Sequence, residues 1–424
     1  MTSPFVSRNT EYPPHVKYSG GFLISLPRRE DVWYNGTIEK INDGGVRMYD
    51  NVKRNSGSLS AVRGSLLGGA VGDALGYAVE FLSLSSIREE FGEGGIRAYE
   101  RSNEGLALIS DDTQMTLFTA AGLLNRRTRC ALTGQEEDPT ADIREAYRDW
   151  YMTQFNEDDR CFAQWDIHHR EPATWLYRIP CLHSRRAPGG TCLSAMAQTA
   201  FGTIEDPLNN SKGCGGVMRV APVGLIHQGV QSREQVIRLG WEAARAAAVT
   251  HGNPLGYISA AGLAMMVNRA AFGGCPYGDG LYGILQECRE LLDEMFAGEP
   301  ELALQQSLLE RAELLSRNHR PDTENIPLLG EGWVGEETLA IAVYCCLRHS
   351  SDFTEAVIAA VNHDGDSDST GAVAGNLLGA WLGAEAIDPC WLEGLELKDT
   401  IETLAQDLCR CSGDPEWERK YGKA

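Results

Sequence analysis

A chain of 424 residues, 43% of them hydrophobic, is long enough to bury a large core as one big domain or two ordinary ones. Its formal net charge of −21 argues against a nucleic-acid binder, which needs a basic face for phosphates, and suits a protein that gathers divalent cations. No basic segment followed by an apolar one opens the chain, and no uncharged stretch is long enough to span a bilayer, so a cytoplasmic protein is expected.

Residues 1–58 differ from the rest. They carry 8 Lys/Arg against 6 Asp/Glu, a net of +2, which places −23 on the remainder. Pro13-Pro14 precede two short strand-like runs, Phe22–Leu26 and Val32–Tyr34, and the segment ends in Asn55-Ser56-Gly57-Ser58, a linker composition. Two readings stand for it: a tail folded back on the main domain, or an arm that binds a partner.

From residue 59 the chain reads as helices. Between Ala61 and Phe81, Gly64, Gly68, Gly72 and Gly76 recur every fourth residue. Near the other end Gly371, Gly375, Gly379 and Gly383 do the same. Such spacing surfaces one helix face with glycine and permits close approach, so the two helices are expected to pair at the centre of the fold. It is not the spacing of a nucleotide-binding loop, and no Gly-Lys-Ser/Thr follows. Further helical patterns lie at 113–125, 140–153, 191–201, 232–250, 254–271, 279–296, 301–317, 336–349, 353–362 and 397–410, with no convincing strand beyond residue 58. Residues 414–424 read as a tail. The twelve cysteines have neither disulfide-framework nor zinc-finger spacing and are expected as reduced, mostly buried thiols.

Two acidic clusters interrupt these helices. Ser110-Asp111-Asp112-Thr113 precedes an apolar helix and supplies more carboxylate than an N-cap requires. Asp364, Asp366 and Asp368 alternate with small residues, so an extended loop would project all three one way. Like charges this dense call for a cation, and hard oxygen ligands suit Mg²⁺, Mn²⁺ or Ca²⁺ rather than zinc. Glu80 is a third acidic candidate. The glycine-rich turn at Lys212–Met218 offers backbone N–H groups to a phosphate, and His251 offers a donor to a ligand, although a lone histidine is often structural.

Six motifs in register resemble the ADP-ribosylglycohydrolase family over nearly all of 59–412. They are Gly-Asp-Ala-Leu-Gly (72–76) with Glu80, Ser-Asp-Asp-Thr-Gln-Met (110–115), Arg-Arg-Ala-Pro-Gly (185–189), Lys-Gly-Cys-Gly-Gly-Val-Met-Arg-Val-Ala-Pro (212–222), Thr-His-Gly-Asn-Pro (250–254) and Gly-Asp-Ser-Asp-Ser-Thr-Gly (365–371). The resemblance implies an all-α orthogonal helical domain at 59–413 after a short non-helical extension, with two Mg²⁺ or Mn²⁺ ions in a central cleft. It implies hydrolysis of the bond joining ADP-ribose to an acceptor on a modified protein. Carried over by position, Ser110, Asp111, Asp112, Asp366, Asp368 and Ser369 are expected as metal ligands. Lys212, Gly213, Cys214, Gly215, Gly216, Val217 and Met218 are expected to cradle the diphosphate, with His251 touching ADP-ribose. Ser110 and Ser369 stand where many members have threonine. Asp364 stands where glycine is more usual, and it is left outside the ligand set.

The form of the last motif resembles members that act on ADP-ribosyl-arginine. Loss of the acceptor leaves oxocarbenium character on the ribose, which carboxylates stabilise, and an arginine leaving group also needs a proton. Asp112 and Glu80 are both candidates for that acid/base role. Some bacterial members resemble this chain in carrying an extra N-terminal segment and serve as immunity proteins, so an ADP-ribosyltransferase toxin bound through residues 1–58 is an expected partner. The alternatives are hydrolysis of another linkage, such as serine or a nucleic-acid end, and a catalytically idle binding or structural member.

Overall fold

The computed structural model describes residues 58–134, 140–155, 163–166, 170–278, 280–410 and 415–422. The strand-like runs at 22–26 and 32–34, and the rest of residues 1–57, lie outside the described residues. All described residues belong to one compact unit that starts at Val52.

The unit is all-α. In chain order its helices are α1 (Ser58–Tyr77), α2 (Leu84–Phe91), α3 (Asp111–Thr133), α4 (Ala141–Thr153), α5 (Gly190–Met196), α6 (Ala221–Ile226), α7 (Arg233–Ala248), α8 (Pro254–Phe272) and α9 (Leu281–Met295). There follow α10 (Leu302–Ser316), α11 (Asp322–Asn325), α12 (Gly335–Arg348), α13 (Phe353–Val361), α14 (Ser367–Leu382), α15 (Pro389–Leu392), α16 (Lys398–Leu408) and α17 (Pro415–Tyr421). Among the described residues there is no strand, only isolated bridges at Ala107–Leu395 and Gly213–Val334. No described helix is long and apolar enough to cross a membrane.

The glycine helices form the central seam. A Cβ on Gly64 would stand 2.2 Å from Gly379 O, one on Gly68 2.4 Å from Gly375 O, and one on Gly72 2.0 Å from Gly371 O. The partners run in opposite order, so α1 and α14 are antiparallel and their backbones touch along the expected glycine faces. Gly76 extends the register to Ser367, whose carbonyl oxygen a Cβ would approach to 2.2 Å. Because the helices are antiparallel, the C-terminal end of α1 meets the N-terminal end of α14. Glu80 and the 366–369 carboxylates are thereby brought to one place. α8 is buried on nearly every side, against α7, α6, α12, α14 and α9.

The C-terminal segment differs from expectation. Residues 415–421 form α17, which packs on α3. Trp417 and Tyr421, one helical turn apart, are buried, and they donate to Thr128 Oγ1 (2.9 Å) and Asp407 Oδ2 (2.6 Å). Two aromatic groups on one face supply the apolar stripe that docks a short helix. All ten described cysteines are free thiols.

Candidate active site

The N-terminus of α3 presents the first acidic cluster. Ser110 caps it, its Oγ accepting the Asp112 N–H at 3.2 Å. Asp73, one turn before the end of α1, accepts the N–H groups of Ser110 (2.9 Å) and Thr113 (3.0 Å). These two residues satisfy the helix end, so the carboxylates of Asp111 and Asp112 are not needed as caps. Asp111 is steadied from the 185–189 motif: its N–H donates to Arg186 O (3.0 Å), and its Oδ2 accepts the Gly189 N–H (3.3 Å).

The second cluster corrects the expectation of an extended loop. Helix α14 already begins at Ser367, with Asp366 as its N-cap accepting the Ser369 N–H at 3.3 Å. Helical turn geometry keeps Asp366 and Asp368 together but turns Asp364 away, where its Oδ1 accepts the Leu84 N–H at 2.7 Å. Carboxylate oxygens of Glu80, Asp366 and Asp368 lie within 4.8 Å of one another.

Both clusters open on one cavity of about 310 Å³, lined by Glu80, Asp111, Asp112, Asp366, Asp368 and Ser369 on one side. Gly213, Cys214, Gly215, Met218 and His251 line it elsewhere, along with the 187–192 segment, Phe81 and Trp333. No lysine or arginine is among its lining residues. Burial, then the Asp368 charge, raises the carboxyls of Asp111, Asp112 and Asp366 well above the usual range. The same causes push Glu80 up to about 10 and Asp73 up to about 7. Oε2 of Glu80 and Oδ2 of Asp112 are buried without a hydrogen-bond partner. Buried, crowded, unpartnered carboxylate oxygens with no basic side chain among them fit hard divalent cations.

The phosphate-binding candidates divide. Gly213, Cys214, Gly215 and Met218 reach the cavity wall, as a 3₁₀ turn at Cys214–Gly216 anchored by the Cys214 N–H on Trp333 O (3.2 Å). Gly216 and Val217 are buried and do not line it, since a Cβ on Gly216 would meet Gly256 O at 2.9 Å. Lys212 pairs with the buried Glu336 and lines a second cavity of about 480 Å³, which Trp333 also lines. Ser110 is fully buried and absent from the wall. Burial, then the charges of Asp366 and Asp112, raises the Cys214 thiol well above its usual range.

Two features escaped the sequence reading. Asp73 is the only acidic residue of α1, and the partners of its carboxylate are contributed by the start of α3. Phe81 and Trp333 stack at the rim, with centroids 5.5 Å apart and planes 20° apart. Phe81 follows Glu80 and takes φ +70°, rare for a residue with a side chain. Trp333 rides between Gly332 (φ +85°) and the start of α12, and no sequence signal tied it to Phe81.

Comparison with known proteins follows the same lines. The family model described as ADP-ribosylglycohydrolase matches residues 54–416. ADP-ribosylhydrolase ARH3 of Bos taurus is 29% identical over 217 residues, 47% of this chain and 58% of the relative, so the chain spans little more than half of that protein. ADP-ribosylarginine hydrolase Tri1 of Pseudomonas putida is 24% identical over 83% of this chain and 78% of its own length. A solved structure titled "ADP-ribosylglycohydrolase-related protein complex" superimposes with a TM-score of 0.55 at 27% identity, covering 83% of this chain and 97% of that one. With the family model matched across the whole described unit except its last few residues, the chain belongs to the ADP-ribosylglycohydrolase family.

Proposed function

We propose that the protein hydrolyses the bond joining ADP-ribose to arginine on a modified protein. The observation that carries this reading is the single cavity in which five carboxylates face a glycine turn and a neutral histidine. Asp111, Asp112, Asp366 and Asp368, with the hydroxyl of Ser369, would hold two Mg²⁺ or Mn²⁺ ions, while Ser110, expected as a ligand, stays behind the wall as the cap of α3. When bound, such ions orient the ribose hydroxyls and a water and offset developing charge. The turn at Gly213–Gly215 and His251 would receive the diphosphate. Glu80 and Asp112, whose carboxyls burial and the Asp368 charge raise, would share the acid/base role, one donating a proton to the departing guanidine and the other taking one from water. The similarity to the Pseudomonas putida arginine hydrolase supports the linkage.

A second reading, the same chemistry on another linkage, is left open by the similarity to ADP-ribosylhydrolase ARH3, 29% identical over 47% of this chain, whose name specifies no linkage. Peptides bearing ADP-ribosyl-arginine or ADP-ribosyl-serine, incubated with the protein and Mg²⁺, separate the two by mass spectrometry of released ADP-ribose. Release from arginine alone, abolished by EDTA, is expected. Release from serine alone would replace the first reading with the second. Binding of ADP-ribose without release from either would leave a catalytically idle member.

We also infer that the chain is a cytoplasmic immunity protein whose residues 1–58 bind a cognate ADP-ribosyltransferase toxin. The segment lies almost wholly before the family match, carries Phe22, Ile24, Trp33 and Tyr34, and has a charge of +2 against −23 elsewhere. Free thiols throughout the described unit support a reducing compartment.

A further inference from the structure

Arg219 is wholly buried one layer behind the cavity, and among the described residues no carboxylate pairs with it. Its guanidinium lies over the Tyr147 ring, 4.3 Å from the centroid. It donates to Ala246 O (3.2 Å), to the sulfur atoms of Cys192 (3.4 Å) and Met115 (3.5 Å), and to Thr250 Oγ1 (2.7 Å). A cation this deep, held by neutral acceptors only and with its Nε unpartnered, is costly to bury.

The shortest contact of Arg219 is the one to Thr250. Arginine has no acceptor, so one lone pair of Thr250 Oγ1 is taken by the guanidinium. The hydroxyl proton's candidate acceptors are His251 Nδ1 at 2.8 Å and Ala247 O at 3.5 Å, besides the sulfur of Cys192, a weak acceptor. The shorter contact is a normal hydrogen bond and the longer lies at its limit. With Nδ1 accepting, the neutral ring must carry its proton on Nε2. That nitrogen faces the glycine turn, 3.2 Å from the position of a Cβ on Gly215 and 3.3 Å from one on Gly213.

We propose that Arg219 is a positioning residue which, through Thr250, fixes His251 as the neutral tautomer with its Nε2–H directed at the glycine turn, ready to donate to an anionic phosphate group. The assignment rests on the reading of this cavity as the ADP-ribose site. It also explains how a cavity walled by carboxylates, whose nearby Lys212 is committed to Glu336, presents a donor to an anion without placing a second positive charge there. Burial and the Arg219 charge push the imidazole down to about 3, in keeping with a ring that stays neutral.

The test uses the full-length protein labelled with ¹⁵N-histidine. Ring-nitrogen shifts of His251, assigned by comparison with a His251→Gln variant, report its tautomer, and calorimetry reports binding of ADP-ribose and of inorganic diphosphate. The unaltered protein and Thr250→Ser, which keeps the hydroxyl, should show the Nε2–H form. Thr250→Val should lose that fixed form and bind ADP-ribose at least about tenfold more weakly, the loss of a hydrogen bond to a charged group. Arg219→Lys should retain more of both properties than Arg219→Met, with melting curves showing that each variant is folded. An unaltered Nε2–H tautomer in folded Thr250→Val and Arg219→Met overturns the relay. A changed tautomer with unchanged ADP-ribose affinity, in those variants and in His251→Gln, overturns the ligand role of His251 while the relay itself stands.

Discussion

Substituting alanine into the α1–α14 seam sets two effects of opposite sign against each other. Glycine inside a helix costs roughly 0.5–1 kcal/mol relative to alanine, so propensity alone predicts that Gly72→Ala stabilises the protein. The seam predicts the reverse, because the new methyl would sit 2.0 Å from Gly371 O, about 1.5 Å inside ordinary contact. The opposing atom is a backbone carbonyl within a helix, so it cannot rotate away without giving up its own hydrogen bond. Overpacking of a core typically costs about 1–3 kcal/mol, and a clash against backbone belongs at the upper end. The net expectation is a loss of about 2 kcal/mol, or roughly 2–3 °C in melting temperature for a unit of this size.

Position along the seam adds a second discrimination. Gly64→Ala and Gly76→Ala meet equal obstruction, each 2.2 Å from a carbonyl oxygen, Gly379 O and Ser367 O respectively. Both should lower the melting temperature. Only Gly76→Ala separates Glu80 from Asp368, since its Cβ also lies 2.5 Å from Asp368 N, so only it should weaken Mg²⁺ or Mn²⁺ binding measured by calorimetry. A raised melting temperature for Gly72→Ala, or equal loss of metal affinity in Gly64→Ala and Gly76→Ala, would refute the seam as the device that assembles the site.

Asp368→Ala or Asp112→Ala should cut ADP-ribose release by about a hundredfold or more with the fold retained, and full activity in excess EDTA would contradict the metal reading. Asp73→Asn should weaken metal binding without touching the cavity, because the N–H groups of Ser110 and Thr113 at the start of α3 lose a carboxyl acceptor, and should cost about 1–3 kcal/mol in denaturant titrations. The pH dependence follows from the raised carboxyls. Asp73 and Glu80 hold protons in the folded state up to about 7 and about 10, against roughly 4 when unfolded. Without metal their contribution is therefore most favourable below about pH 4, and is lost as pH rises through 7 towards 10. In EDTA the melting temperature should fall over that range, and the stabilisation by Mg²⁺ should grow over it. Finally, deleting residues 1–50 should leave melting and hydrolysis unchanged while abolishing toxin binding in a pull-down. Loss of turnover would make the segment part of the hydrolase.

The sequence determined the helical class, the two acidic clusters and the glycine seam, because each rests on a short-range period or on local composition. Four glycines at a spacing of four can surface only one side of a helix, and two such helices have little else to bury those faces against. The direction and register were not determined there: equally spaced glycines match either way, and the fold pairs Gly64, Gly68 and Gly72 with Gly379, Gly375 and Gly371 while Gly76 meets Ser367.

Tertiary structure decided which carboxylates share the cavity. Asp364, Asp366 and Asp368 are alike in the chain, but the start of α14 at Ser367 replaces period two with a helical turn and sends Asp364 to Leu84. Lys212 and Gly213 are neighbours, yet the pairing of Lys212 with Glu336, 124 positions away, takes the charge out of the cavity while the glycine stays. Asp73 caps a helix it does not belong to, and Arg219 reaches His251 only through Thr250. Local sequence sets backbone period and charge density. The direction a buried side chain takes is set by the acceptors that other helices bring to it, and those are specified elsewhere in the chain.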